Sequence, residues 1–221
     1  MHCGGSTDRR LAIEEGPVLA VLLVMALAST SPALQCEQDT SLRVRLTVDP
    51  DWRAAAPTIR AIVDDTWQPA GLPIEWVEAG PRVDLSIAVV HQLKARAGVL
   101  GGLMFHSDQP TPLAGVSIEA VRDWVDTYRM RLFRVSMNTA RFDDSSMVAR
   151  GLGYAAAHEM GHFVLATRSH APSGVMQATF RDADLTAKSS RWTLDARNRE
   201  RLHQQWIDSP SRNRCDDRLS R

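Results

Sequence analysis

The spacing of two histidines in the stretch AAAHEMGHFV, which begins at Ala155, constrains this chain more than any other feature. His158 and His162 are four residues apart, so on a helix their imidazoles leave the same face one turn apart. Glu159 follows the first histidine and is rotated from it by about 100° around the helix axis. The alanines before it favour a helix. The stretch therefore predicts a helix that carries two imidazoles and a carboxylate at one place.

Two imidazoles at this spacing can bind one Zn²⁺ at about 2.0–2.1 Å, and a catalytic zinc has three protein ligands and one open position. His170 lies eight residues after His162, where the chain is expected to have turned back. We therefore predict Zn²⁺ bound by His158, His162 and His170, with Glu159 as general base toward a zinc-activated water. Composition alone would give His-Glu-x-x-His in about one in a hundred such chains, which favours a site over a coincidence.

The segments HEMGHFVLATRSH and SGVM resemble the metzincin branch of the zincin metallopeptidases. Metzincins share a helix with two zinc histidines and a catalytic glutamate, a third ligand after a turn, and a methionine-containing turn beneath the zinc. The resemblance implies that His158 and His162 are the helical ligands and Glu159 the base. It also implies that Met176 is the turn methionine, a structural support under the metal.

The chain departs from the metzincin pattern at two positions. Leu165 stands where metzincins have a glycine, and Arg168 stands where they have the third ligand. His170 therefore comes two residues late, which implies a longer helix or a different turn. The zinc block is more similar to uncharacterised exported bacterial metallopeptidases with the pattern AHELGHLLLG…SHSPTGIM. These proteins also have a GIEVEWV-type segment, here GLPIEWV, so the looser likeness spans roughly 42–206.

Other residues also qualify for the site by position or chemistry. In thermolysin-like enzymes the third ligand is an acidic residue some twenty positions after the second histidine, and Asp182 and Asp184 fit that spacing. Asp184 is therefore the reserve ligand, although surface acids are the commoner explanation. Arg168 could stabilise an oxyanion or be an exposed arginine near a helix end. Tyr154 could line the cleft or pack in the core.

The remaining sequence predicts one α+β domain of the zincin or metzincin type. It would contain a small mixed sheet, a long active-site helix over about 146–167 and a C-terminal helix over about 194–206. Strands are predicted at 42–48, in PIEWV and VDLSIAVV, in LAGVSI, and in LFRVSMN. A first helix is expected in APTIRAIVDDTWQPAG and a short helix over 119–128. The glycine-rich stretch 94–112 is expected to be an irregular loop.

The N-terminus has the features of an export signal. Two arginines precede the apolar run PVLAVLLVMALA, whose twelve residues suit a signal-peptide core and are short for a bilayer span. We expect residues 1–35 to be a signal peptide, or an N-terminal membrane anchor if it is retained. Residues 40–208 would form the metallopeptidase domain, and 209–221 a polar tail. The protein would act in the periplasm or outside the cell.

Charge and cysteines set further limits. The chain has 26 basic and 26 acidic residues, so no net field favours nucleic acid as a partner. Cys36 and Cys215 lie near opposite ends of the mature chain and could pair after export, or stay as separate thiols. The sequence as a whole predicts a zinc metallopeptidase that hydrolyses peptide or protein substrates. The alternative is a non-catalytic zinc-binding or interaction module on the same scaffold.

Overall fold

The computed structural model describes residues 41–78, 80, 82–94, 98–135, 144–186 and 191–208. Within these residues, no helix combines the length and the apolar character needed to cross a membrane. The predicted signal segment 1–35, Cys36, Cys215 and the tail 209–221 lie outside the described residues.

A five-stranded mixed sheet forms one layer of the fold, in the spatial order β2-β1-β3-β5-β4. β1, β2, β3 and β5 run parallel, and β4 is an edge strand antiparallel to β5. The strands are β1 (Leu42–Val48), β2 (Ile74–Trp76), β3 (Leu85–Val90), β4 (Gly101–His106) and β5 (Gln109–Ser117).

Alternation along the strands decides which face of the sheet is covered. In β3, Leu85, Ile87 and Val89 are buried while the residues between them are only half-buried. Side chains on a strand point alternately to the two faces, so the buried set marks one covered face. The other face carries polar pairs such as Arg45 with Ser86, whose side chains are hydrogen-bonded at 3.1 Å.

The helices are α1 (Ala56–Trp67), α2 (Ile118–Val135), α3 (Asp144–Val164), α4 (Asp182–Leu185) and α5 (Ala196–Leu202), and a π-helical turn (His203–Ile207) follows α5. Short 3₁₀ turns flank α1 at Pro50–Ala55 and Gln68–Ala70.

Helix α3 is the centre of the molecule. Every residue from Gly151 to His162 is buried, because α1, α2, β4 and β5 all pack against this helix. A helix that is buried all round is normally apolar. The histidines and the glutamate near its C-terminal end are therefore polar groups inside the core, and such groups need partners.

The predicted α+β fold with a small mixed sheet and a long helix is confirmed. Two local predictions were wrong. Much of the expected loop 94–112 is the hairpin of β4 and β5, whose turn is Ser107 and Asp108. The expected strand LFRVSMN is wrong for residues 132–135, which are the end of α2, and 136–138 lie outside the described residues.

Candidate metal centre

Two imidazoles converge at the C-terminal end of α3. The Nε2 atoms of His158 and His162 are 3.0 Å apart. On the other side of each ring, Nδ1 of His158 donates to the Val175 carbonyl oxygen at 2.7 Å, and Nδ1 of His162 donates to the Thr167 carbonyl oxygen at 2.7 Å. A carbonyl oxygen can only accept a hydrogen bond, so these contacts place each ring proton on Nδ1.

This arrangement fits a metal ion. With the protons on Nδ1, each Nε2 has a bare lone pair, and two lone pairs at 3.0 Å repel each other unless a cation binds them. Carbonyl acceptors behind the ring are the usual support of a metal-binding histidine. Burial lowers the pKa of His158 to about 4 and also lowers that of His162. Both rings are therefore neutral near pH 7, the form that binds metal.

His170 completes the group. Its ring is stacked on His158 with a centroid distance of 5.3 Å and lies edge-on to His162 at 5.0 Å. One nitrogen from each of the three rings lies within 4.8 Å of the others. His170 is exposed whereas the two helical histidines are buried, so the group opens toward solvent on one side. Three imidazoles and an open side suit a zinc site that keeps one position for water or substrate.

The turn after α3 explains how His170 reaches the other two rings. The helix ends at Val164, and Ala166 takes the left-handed conformation with φ of 42°. The Thr167 N–H then donates to the His162 carbonyl oxygen at 3.1 Å, which is typical of a helix that ends with a left-handed residue. Leu165 stands at the position of the metzincin glycine, and the left-handed residue in this structure, Ala166, comes one position later. The segment from the left-handed residue to His170 is also one residue longer than in the metzincin pattern. Together these two single-residue differences explain why His170 comes two residues after the metzincin ligand position.

The left-handed conformation of Ala166 predicts that glycine at this position stabilises the protein, whereas glycine within a helix normally destabilises it. Replacing Ala166 with Gly should raise the free energy of unfolding by about 0.5–1 kcal/mol, because glycine accepts positive φ without the steric cost of a Cβ atom. Ala61→Gly, at an exposed position inside α1, should instead lower it by about 1 kcal/mol. Urea denaturation of the metal-free variants measures both changes. A loss of stability in Ala166→Gly would contradict the assigned turn.

Glu159 lies beside the three histidines and against the start of β4. It is buried, and burial raises its pKa to about 7, an effect that a hydrogen bond from the Leu103 backbone partly offsets. A Cβ atom on Gly101 would lie 2.8 Å from Cγ and 2.9 Å from Oε1 of Glu159. Glycine at position 101 therefore lets the edge strand approach the carboxylate.

Met176 packs against α3 at Gly161. It is buried, and a Cβ atom on Gly161 would overlap its Sδ atom. The preceding residue, Val175, provides the carbonyl that holds His158. The methionine and the absent side chain of Gly161 therefore fix the distance between α3 and the segment that supports a histidine.

Gly161→Ala should destabilise the protein by about 1–3 kcal/mol, because the added methyl group must displace a buried thioether. It should also weaken zinc binding, because the displaced segment carries the Val175 carbonyl. Gly102→Ala is the control, since no atom lies within 4 Å of a Cβ at that exposed position. Thermal unfolding and zinc titration of both variants test the prediction, which fails if the two behave alike.

The carboxylate of Asp184, the reserve ligand, binds other partners outside the histidine group. Its buried carboxylate accepts hydrogen bonds from Gln177 Nε2 at 2.8 Å and from the Arg181 backbone N–H at 2.7 Å, and it lies 3.4 Å from Arg191 Nε. Through these hydrogen bonds Asp184 stabilises the loop after Met176, and it does not belong to the histidine group. Asp182 begins α4.

Tyr154 and Arg168 also have defined positions. Tyr154 is buried and stacked on Trp192 with a centroid distance of 4.0 Å, which is a packing role. Arg168 holds the β4–β5 hairpin, because its Nη2 donates to the Ser107 carbonyl oxygen at 2.5 Å. Its guanidinium carbon also lies 4.6 Å from the centre of the Phe105 ring.

A cleft of about 1110 Å³ opens over the histidines and Glu159. β4 lines one part of it, and an aromatic pair of Phe180 and Trp124 lines another. Phe180 packs edge-on to His158 at 5.4 Å and lies 5.7 Å from Trp124. The sequence interpretation missed both walls. The paired glycines at 101 and 102 were a usable signal for β4, whereas nothing local distinguishes Trp124 from a core tryptophan.

Comparisons with known proteins give little beyond this geometry. No protein-family model matches the chain, and no curated protein matches its sequence. Archaemetzincin from Methanopyrus kandleri is similar in structure with a TM-score of 0.46 and 12% identity, covering 78% of this chain and 99% of that one. The GM1-bound form of the ECX AB5 holotoxin gives a TM-score of 0.44 and 13% identity, covering 76% and 80%. The site itself, a group of three histidines able to hold a metal ion beside a buried glutamate, is the feature that indicates function.

Proposed function

We propose that the chain is a zinc-dependent metallopeptidase that hydrolyses peptide bonds. One observation carries this proposal: the three imidazoles converge with an open side, and Glu159 lies next to that opening. A purely structural zinc site would normally be closed by four protein ligands. Among the described residues, the metal-binding group that includes these histidines has three members.

Three histidines would hold the zinc ion, and two backbone carbonyls orient two of their rings. When bound, zinc supplies a Lewis acid that makes water more acidic and polarises a carbonyl oxygen. His158, His162 and His170 would hold the ion, and the Val175 and Thr167 carbonyls keep two of the rings in the required tautomer.

Glu159 is suited to move the proton. Burial raises the pKa of its carboxyl group in the metal-free site, and a carboxylate at this place can accept a proton from water and return it to a leaving amine. Glu159 lines the cleft and the Leu103 backbone holds its carboxylate, so the proton would be received at a fixed place.

The edge strand supports a peptide as substrate. β4 lines the cleft and is one of the two edge strands of the sheet, and an edge strand presents backbone donors and acceptors to which an extended chain can pair. The apolar run at 17–28 supports the further proposal that the enzyme is exported.

Removal and return of the metal test this function. A chelator should abolish cleavage of a mixed peptide substrate, and about one equivalent of zinc per chain should restore it, because the open position exists only in the zinc-loaded site. Far-ultraviolet circular dichroism of the same samples controls for unfolding. Cleavage that persists after zinc is shown to be gone would contradict the proposal.

A further inference from the structure

The charges that line the cleft are unequal. Apart from Glu159, the charged side chains among its described lining residues are three arginines and one aspartate, namely Arg131, Arg168, Arg181 and Asp123. The whole sequence has equal numbers of acidic and basic residues. The excess of positive charge is therefore local to the cleft, where a bound metal ion would add to it.

Arg181 is placed so that its charge stays available. It follows Phe180, the aromatic residue that packs against His158, and its backbone N–H is fixed by Asp184. Its side chain is exposed, and within the described part of the chain no carboxylate lies at ion-pair distance from it. Fixing the backbone while leaving the guanidinium free is suited to binding an anion that enters the cleft.

Arg168 lies at another place in the cleft, beside the turn of the β4–β5 hairpin. Its carboxylate neighbour, Asp108, is 3.7 Å from Nη1 and its side chain is 97% exposed. An ion pair in water at that distance neutralises little of the charge. Arg168 therefore adds a second source of positive potential along the cleft.

We propose that this cleft selects peptides with acidic side chains near the scissile bond, through Arg181 and Arg168. The inference rests on the proposed function and names its substrate class. Guanidinium groups pair with carboxylates through two parallel N–H donors, and a positive cleft also attracts anionic chains from a distance. Two arginines at separate places favour side chains over the terminal carboxylate, because a chain has only one C-terminus.

Cleavage of matched peptides measures the selectivity. The zinc-loaded full chain would be given three sets of C-terminally amidated peptides that differ only in Glu, Gln or Lys at the flanking positions. We expect kcat/KM for the Glu set to exceed that for the Gln set by about tenfold, from about threefold for each exposed arginine. The Lys set should be cleaved most slowly, and the differences should shrink as the NaCl concentration rises.

Two arginine variants locate the effect. Arg181→Gln should lower the Glu-to-Gln ratio by about threefold, mainly through KM. Arg197→Gln, which removes an exposed arginine of α5 outside the cleft lining, should keep the wild-type ratio. Equal cleavage of the Glu and Gln sets, or an equal loss of selectivity in both variants, would overturn the proposal.

Binding without turnover separates this inference from the proposed function. Zinc-loaded Glu159→Gln protein would be titrated with the same fluorescent peptides, and anisotropy would report affinity whether or not the wild type cleaves them. Tighter binding of the Glu set together with no cleavage by the wild type would refute the peptidase and keep the charge selectivity. Equal binding of all three sets would refute the charge selectivity, even if the wild type is a peptidase.

Discussion

Glu159→Gln is expected to lower kcat for peptide hydrolysis by about a thousandfold while zinc stays bound. General base catalysis contributes about a hundredfold to ten-thousandfold, and the glutamine amide cannot accept the proton that Glu159 would take. The amide matches the carboxyl group in shape, so the close packing against Gly101 and the bond to the Leu103 backbone can remain. The loss should therefore appear in kcat, with little change in melting temperature.

A matched variant controls for the general effect of losing a glutamate. Glu78→Gln changes an exposed residue outside the cleft lining and should leave zinc content and hydrolysis as in the wild type. Zinc content should be measured in the same samples that are assayed. If Glu159→Gln retains zinc and also retains wild-type kcat, Glu159 is not the general base.

His170→Ala is expected to weaken zinc binding by at least about a hundredfold. Loss of a residue that only supports a metal ligand already costs about tenfold to a hundredfold, and loss of a ligand should cost more. Zinc at a hundred times the wild-type Kd stabilises the wild type by about 2.7 kcal/mol. The same zinc concentration should stabilise His170→Ala by no more than about 0.4 kcal/mol. Thermal unfolding with and without zinc measures the difference.

His91→Ala provides the control, because His91 is exposed and lies outside the histidine group. It should keep the full stabilisation by zinc. An unchanged zinc response in His170→Ala would show that the third ligand comes from another residue.

Local patterns were sufficient to predict the fold class and the helix that carries the site. Period-two alternation in 42–48 and the spacing of His158 and His162 each depend on nearby residues, and the structure has a strand and a helix at those places. The same reasoning failed for β4 because its glycines have no side chains from which a period can be recognised. A side chain at position 101 would collide with Glu159, and this contact joins residues that are far apart in sequence.

The turn before His170 shows a second limit. The metzincin pattern places a glycine at the position of Leu165, whereas in this structure the left-handed residue is Ala166. Left-handed conformation is expected at glycine and is uncommon at alanine, so propensity alone would not locate the turn. The aromatic wall of Trp124 and Phe180 could not be predicted from local patterns either, since it depends on how the segment before α4 packs against α2.

The most direct measurement is to count zinc and identify cleavage products in one sample. Purified chain containing a measured amount of zinc would be incubated with a peptide library, and mass spectrometry would identify new termini. We expect about one zinc per chain, with new amino and carboxyl termini that do not form in the presence of a chelator. One zinc per chain without any new termini would contradict the peptidase and favour the zinc-binding module. Absence of zinc binding after zinc supplementation would contradict the metal centre itself.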